Sequence, residues 1–298
     1  TMHRYFTFCR WGAFACMLVM GSTTPARAEG DSARFAPAII YQYAGEKSDN
    51  AYINSARNGI IKAEEEFHTK VSITQIKPGE NVLANIKRVA DSGATPIILL
   101  GDQNVDPVLK LASDYPHTSF TVIDGLVPPL HPNVQSILFK NNEGAFLVGM
   151  IAGKMSKSGF VGFVGGMDIP LIRNFATGFT QGVKYAAPDV TVNVQMVGSS
   201  AEAWNNPEKA HDIALSQFHE GADIIFAAAG GSSLGVLKAA DETGKLAIGV
   251  DSIQNSVYPG RVLTSMVKRV DVAVYDTLQS SHEHRWNAGL KYLGIKEG

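Results

Sequence analysis

Between residues 230 and 235 the chain reads Gly230-Gly-Ser-Ser-Leu-Gly235, which contains a literal G-x-S-x-G. In an α/β-hydrolase that pattern holds a nucleophilic serine, here Ser233, on a sharp strand-to-helix turn. A triad then needs an acid, for which Asp251 is placed, and a later histidine. The histidines that follow are His282 and His284, in the polar segment Ser281-His-Glu-His-Arg285, and neither follows a strand-like run. An exported serine hydrolase is therefore the alternative of another class. The turn reads better as a helix start whose glycines let a ligand or another part of the chain come close. No catalytic residue is assigned. Gly230 and Gly235 also have phosphate-loop spacing, but Val236-Leu237 replaces the required Lys-Ser/Thr. His282 and His284 lack the i,i+4 spacing of a helical zinc pair, so no metal or cofactor is implied.

What recurs is glycine and aspartate at the ends of apolar runs: Gly45 to Asp49, Gly101-Asp102, Asp124-Gly125, Gly165-Gly-Met167, Gly230-Gly231 and Asp251. Glycine admits a close ligand, and a carboxylate accepts strong hydrogen bonds from hydroxyls. The recurrence in both halves of the chain favours a shared cleft.

The elements that must carry these residues follow from periodicity. Strand-like runs at 36–45, 71–76, 96–101, 119–125, 135–139, 159–165, 190–197, 222–229, 247–250 and 262–267 alternate with helical patterns. The helical patterns lie at 54–67, 82–92, 106–113, 143–155, 172–186, 207–220 and 234–243. Such alternation implies βαβ units and parallel sheets, whose strands are apolar throughout because both faces are covered. About ten units exceed one compact sheet, so two sheets are expected, with a seam near 126–140. In open parallel sheets ligands bind beyond the carboxyl ends of the strands, where the glycines and aspartates lie.

At 298 residues, 45% hydrophobic and 18% charged, the chain suits two well-packed domains. Its formal net charge of −2 gives no reason to expect a nucleic-acid partner. Arg4 and Arg10, the apolar stretch 12–20 and Ala26-Arg-Ala28 form a secretory signal peptide over 1–28, too short to span a bilayer as a mature helix. Both cysteines, Cys9 and Cys16, lie inside it. Cys16 is not read as a lipid-anchored residue, because apolar residues follow it rather than lead up to it. Cleavage removes three arginines and no acid, taking the net charge from −2 to −5. A periplasmic protein without disulfides or membrane insertion is expected.

Several blocks resemble the basic membrane protein family, substrate-binding proteins of ABC importers of which many take purine nucleosides. They are Phe139 to Gly153, Gly162-Phe-Val-Gly-Gly-Met167, Phe175-x-x-Gly-Phe179, Gly221-Ala-Asp-Ile-Ile-Phe226, Ala229-Gly-Gly231, Gly249-Val-Asp251 and Val262 to Lys268. The resemblance implies an α/β, two-lobed periplasmic-binding-protein fold of type I, each lobe a parallel sheet flanked by helices. The chain crosses a hinge between the lobes three times. The lobes are placed at 34–136 plus 268–298 and at 137–267. Relatives usually continue for a further strand and helix beyond Gly298. The resemblance also makes Asp251 and Lys268 the partners of ribose hydroxyls and Trp204 an aromatic that stacks on a base. The family's Asp-Lys-Ser-Phe-Asn-Gln-Ser motif matches Asp49-Asn-Ala-Tyr-Ile-Asn-Ser55 in part. Tyr52 takes the aromatic place, Ile53 stands where asparagine is usual and Asn54 where glutamine is.

The ligand-binding set is then Asp49, Tyr52, Asn54, Asp102, Asp124, Met167, Trp204, Gly230, Asp251 and Lys268. It suits a purine nucleoside: a flat base wants an aromatic face, about 1–3 kcal/mol per stack, and vicinal hydroxyls want charged partners. The expected partners are that nucleoside and an ABC permease. The departures at 53 and 54 leave a receptor for a sugar or a signalling molecule as the alternative. Sugar-binding repressors share this general fold, but no segment resembles a DNA-binding headpiece.

Overall fold

The computed structural model describes residues 34–42 and 50–298. The expected signal peptide and Asp49 lie outside the described residues. Among the described residues eleven strands build two sheets. The first has the order β11-β5-β4-β3-β1-β2, from β1 (Ala38–Gln42), β2 (Ser72–Ile76), β3 (Ile97–Leu100), β4 (Phe120–Ile123), β5 (Val134–Phe139) and β11 (Gly289–Leu293). The second runs β10-β9-β8-β6-β7, from β6 (Phe160–Met167), β7 (Thr191–Gly198), β8 (Ile224–Ala228), β9 (Leu246–Asp251) and β10 (Val262–Val267). All pairings between these strands are parallel.

The helices are α1 (Ala51–Phe67), α2 (Val82–Asp91), α3 (Val105–Leu111), α4 (Asn141–Met155), α5 (Pro170–Ala186), α6 (Pro207–His219), α7 (Ser233–Thr243) and α8 (Val270–His282). Their placement explains the unbroken apolar strands. In β3, Ile97 and Leu99 enter the core with α2 and α3. Ile98 and Leu100, pointing the other way, enter the core with α1 and α8. In β8, Phe226 and Ala228 face α4 and α5, whereas Ile225 and Ala227 face α6 and α7. Each large side chain so buried contributes about 1.5–3 kcal/mol.

The order β2-β1-β3-β4-β5 matches β7-β6-β8-β9-β10 strand for strand, so β4 corresponds to β9 and β5 to β10. Each sheet has its topological switch point where the first two helices leave on opposite sides, beside β1 and β3 or β6 and β8. Among the described residues the chain passes between the sheets twice, at 139–141 and 267–270, where the resemblance implies three crossings. The first passage falls after Phe139 rather than at 136, because β5 continues to that residue.

Candidate functional site

Asp124 and Asp251 occupy equivalent places, just past β4 and at the end of β9. Both adopt left-handed backbone angles, φ +62° and +69°. Aspartate tolerates this region better than most residues, yet it still costs about 1 kcal/mol each. Both side chains are removed from water, with 6% and 7% of each residue exposed. Lys268, one residue past β10, completes the set. Its backbone N–H donates to the Asp251 carbonyl at 2.9 Å, and its Nζ donates to Asp124 Oδ2 at 2.6 Å. This buried ion pair joins a residue of the first sheet to one of the second, 144 positions apart in sequence. A buried charge persists when it is paired in this way.

Among the described residues Asp251 has no such direct partner. Burial pushes its carboxyl up to about 6, with the Lys268 ammonium pulling it down and the Asp124 charge adding to the rise. Tyr52, in the first turn of α1, is held well above the ordinary phenol value by burial and then by the nearby Asp124. Its Oη is buried close to the Asp124 carboxylate, near enough to act on it as a hydrogen-bond donor but short of good hydrogen-bond geometry with any described group. Asp124 Oδ1, Asn104 Oδ1 and Asn141 Oδ1 are likewise buried without a partner. These four oxygens all follow carboxyl ends of the first sheet, after β1, β3, β4 and β5. A buried polar atom left unpaired costs about 1–3 kcal/mol, so each of these oxygens has unused capacity for a further hydrogen bond.

The structure thus brings Tyr52, Asp124, Asp251 and Lys268 together. Asp102, in the turn after β3, has an exposed side chain that neighbouring atoms still partly desolvate. That desolvation raises its carboxyl against the lowering pull of the Asp102 and Gln103 backbone N–H groups. Trp204, in a short 3-10 turn after β7, lies against the second switch point. A Cβ on Gly166 would come within 2.5 Å of its Cζ3, and one on Gly230 within 3.5 Å of its Cε3. Glycine at 166 is what lets the indole settle there. Gly230 has φ +58°, and the Nδ2 of Asn50, the residue that caps α1, lies 3.8 Å from where its Cβ would be. The first sheet's α1 therefore approaches the second sheet's glycine turn. Asn54 lines a pocket of about 280 Å³ with Ala51, Ser252, Ile253, Gln254 and Val257. Met167 packs at the edge of the core under α6 and α7. Ile53, the departure from the family motif, is buried in the core with α8.

Four residues of this region stand outside the binding set expected from the sequence: Asn104, and Asn141, Phe139 and Phe175, which fall in the resemblance blocks without a role assigned to them. The Phe139 ring centroid lies 4.9 Å from Lys268 Nζ and that of Phe175 lies 5.7 Å away. Phe139 closes an apolar run and so had a signal, whereas Phe175 looks like any other core position of α5.

The hydrolase alternative meets a direct obstacle. Ser233 is fully buried, and its Oγ accepts the Ala229 backbone N–H at 3.0 Å. Ser232 Oγ donates to the Ala203 carbonyl and accepts from Asn206 N–H, both at 2.7 Å. His282 is stacked on Phe67, with centroids 4.6 Å apart. The G-x-S-x-G is structural. Its final Gly235 allows α7 to touch α6, since a Cβ there would sit 1.9 Å from the Pro207 carbonyl oxygen.

The family model Bmp, described as ABC transporter substrate-binding protein PnrA-like, matches residues 37–298. The chain belongs to this family. Basic membrane protein A of Borreliella burgdorferi is 32% identical over 261 residues, covering 85% of this chain and 75% of that protein. An ABC transporter solute-binding protein from Aeropyrum pernix K1 superposes with a TM-score of 0.78 at 28% identity, over 89% of this chain and 75% of that one. An uncharacterized lipoprotein of Pyrococcus furiosus is 28% identical over 271 residues, 88% of this chain and 68% of that one. Bmp proteins are extracytoplasmic substrate-binding proteins, not enzymes, and they deliver a small molecule to an ABC permease. Among the described residues no helix is long and apolar enough to cross a membrane.

Proposed function

We propose that this Bmp protein binds a purine nucleoside between its two sheets and presents it to its permease. The observation that carries the reading is the buried Asp124–Lys268–Asp251 group beside Tyr52, flanked by oxygens that lack partners. Two carboxylates and an ammonium suit vicinal hydroxyls, which both donate and accept hydrogen bonds. Trp204 and Tyr52 supply flat apolar faces for a base. We assign Asp49, Tyr52, Asn54, Asp102, Asp124, Met167, Trp204, Gly230, Asp251 and Lys268 to the ligand site on this reading, and residues 1–28 to export into the periplasm. The burial of Ile53 supports the same ligand class, because that departure from the motif is absorbed by the core.

Isothermal calorimetry on protein stripped of ligand by unfolding and refolding tests the reading with inosine, adenosine, guanosine, ribose and free hypoxanthine. Nucleosides should bind far more tightly than ribose or the base alone. Ribose binding as tightly as inosine would transfer the protein to the sugar receptors.

A further inference from the structure

We propose that Phe139 and Phe175 are positioning residues for Lys268, forming with Tyr52 an aromatic cage that holds its ammonium ready for a ligand oxygen. The part of this inference that concerns ligand rests on the reading above. An ammonium has three N–H donors. Among the described residues Nζ has one hydrogen-bond partner, Asp124 Oδ2, and Lys268 is 4% exposed, so bulk water does not serve the other two donors. Three rings stand around it instead. Their centroids lie at 4.9 Å for Phe139, 5.4 Å for Tyr52 and 5.7 Å for Phe175, all inside the roughly 6 Å reach of a cation–π contact.

The choice of rings over oxygens has a chemical consequence. A π face stabilises positive charge through its quadrupole without supplying a lone pair, so the cage offsets the cost of burying the cation and leaves donors unspent. A ligand hydroxyl then meets an ammonium that is desolvated, fixed and still able to donate. The rings also come from both sheets. Tyr52 and Phe139 belong to α1 and β5, whereas Phe175 belongs to α5 and is backed by Phe226, with centroids 6.3 Å apart at 56°. The cage therefore draws on both sheets in the arrangement seen here, without ligand.

The test is progressive fluorination of the ring at 139 with mono-, di- and trifluorophenylalanine, which weakens the quadrupole with little change of shape. The first readout is the thermal midpoint of the ligand-free full chain, in the natural background and in Lys268→Met. The midpoint should fall stepwise by about 2–4 °C in total when Lys268 is present and stay level in Lys268→Met. Equal slopes in both backgrounds, or none in either, overturn the cage. Should Lys268→Met not fold, the same series at Phe163 serves as the reference. Phe163 is a fully buried ring packed on Phe179 and Phe226, and among the described residues no cation stands over it. A slope at 139 no steeper than at 163 then overturns the cage. The second readout is inosine affinity, expected to weaken about fivefold across the series at 139. Failure of the unsubstituted protein to bind inosine refutes the nucleoside reading, and the thermal series alone then decides the cage.

Discussion

Replacing Asp251 by asparagine should make the ligand-free protein more stable at neutral pH while impairing binding. The carboxyl titrates near 6 in the folded protein against an ordinary value of 3.8, with burial as the main cause. Because its folded value is raised, the group's contribution to stability is fully present below about pH 4 and is lost as pH climbs through 6. A rise of about two units corresponds to roughly 3 kcal/mol of lost stability at pH 7. Asparagine keeps the shape, tolerates the left-handed backbone and carries no charge, so it escapes this loss. Urea denaturation of both proteins between pH 4 and 7.5 isolates the effect, since all other titrations cancel in the difference. The two stability curves should coincide near pH 4 and separate by about 3 kcal/mol at pH 7, equivalent to some 6–12 °C in melting temperature. Curves that run parallel, or an asparagine variant weaker at pH 7, would refute the assignment of an unpaired buried carboxylate. Calorimetry on the same variant should show nucleoside affinity reduced by about 1–3 kcal/mol.

Removing the other charge has the opposite consequence. Lys268→Ala strands Asp124 in a buried site and should cost about 3–5 kcal/mol in urea, much of it recovered when Asp124→Asn is added. Gly166→Ala drives a methyl into the indole of Trp204, so intrinsic tryptophan fluorescence should shift and ligand affinity should drop, with stability changing by about 1–3 kcal/mol. An unaltered spectrum would mean that the ring does not rest on that glycine. Gly235→Ala places its Cβ against a backbone carbonyl between α6 and α7, where relief requires moving a helix. It should destabilise by about 1–3 kcal/mol or more while leaving any serine-directed label without effect on either protein.

The two-sheet architecture was legible because parallel strands covered on both faces are written as unbroken apolar runs, as in Ile97-Ile-Leu-Leu100 and Ile224-Ile-Phe-Ala-Ala228. The last helix and strand were not read. In β11 the central Leu290, Lys291 and Tyr292 are exposed, so neither alternation nor a continuous apolar run announces a strand. The helix α8 buries Val270, Ala273, Val274, Tyr275, Thr277 and Leu278 beside α1, but in the sequence Asp271, Asp276 and the polar run 279–284 interrupt that stripe. In the binding region, Asp124 and Asp251 stood out as acids at strand ends. Their common left-handed geometry did not, because it depends on what the following loop does. The Asp124–Lys268 contact spans 144 positions and belongs to the assembled fold, not to any local pattern. The unpaired oxygens of Asn104 and Asn141 become visible only when every neighbour has a place.

Lys268 stands in the strip of backbone where the chain leaves the second sheet for the first, so on the reading proposed above the side chain assigned to the ligand also lies on the connection between the halves. On that reading a substitution at this point touches the ligand contact and the connection together. Changes of diet must therefore be written elsewhere. Residues 166 and 204 lie away from Lys268, and an engineer wishing to retarget the receptor would begin there.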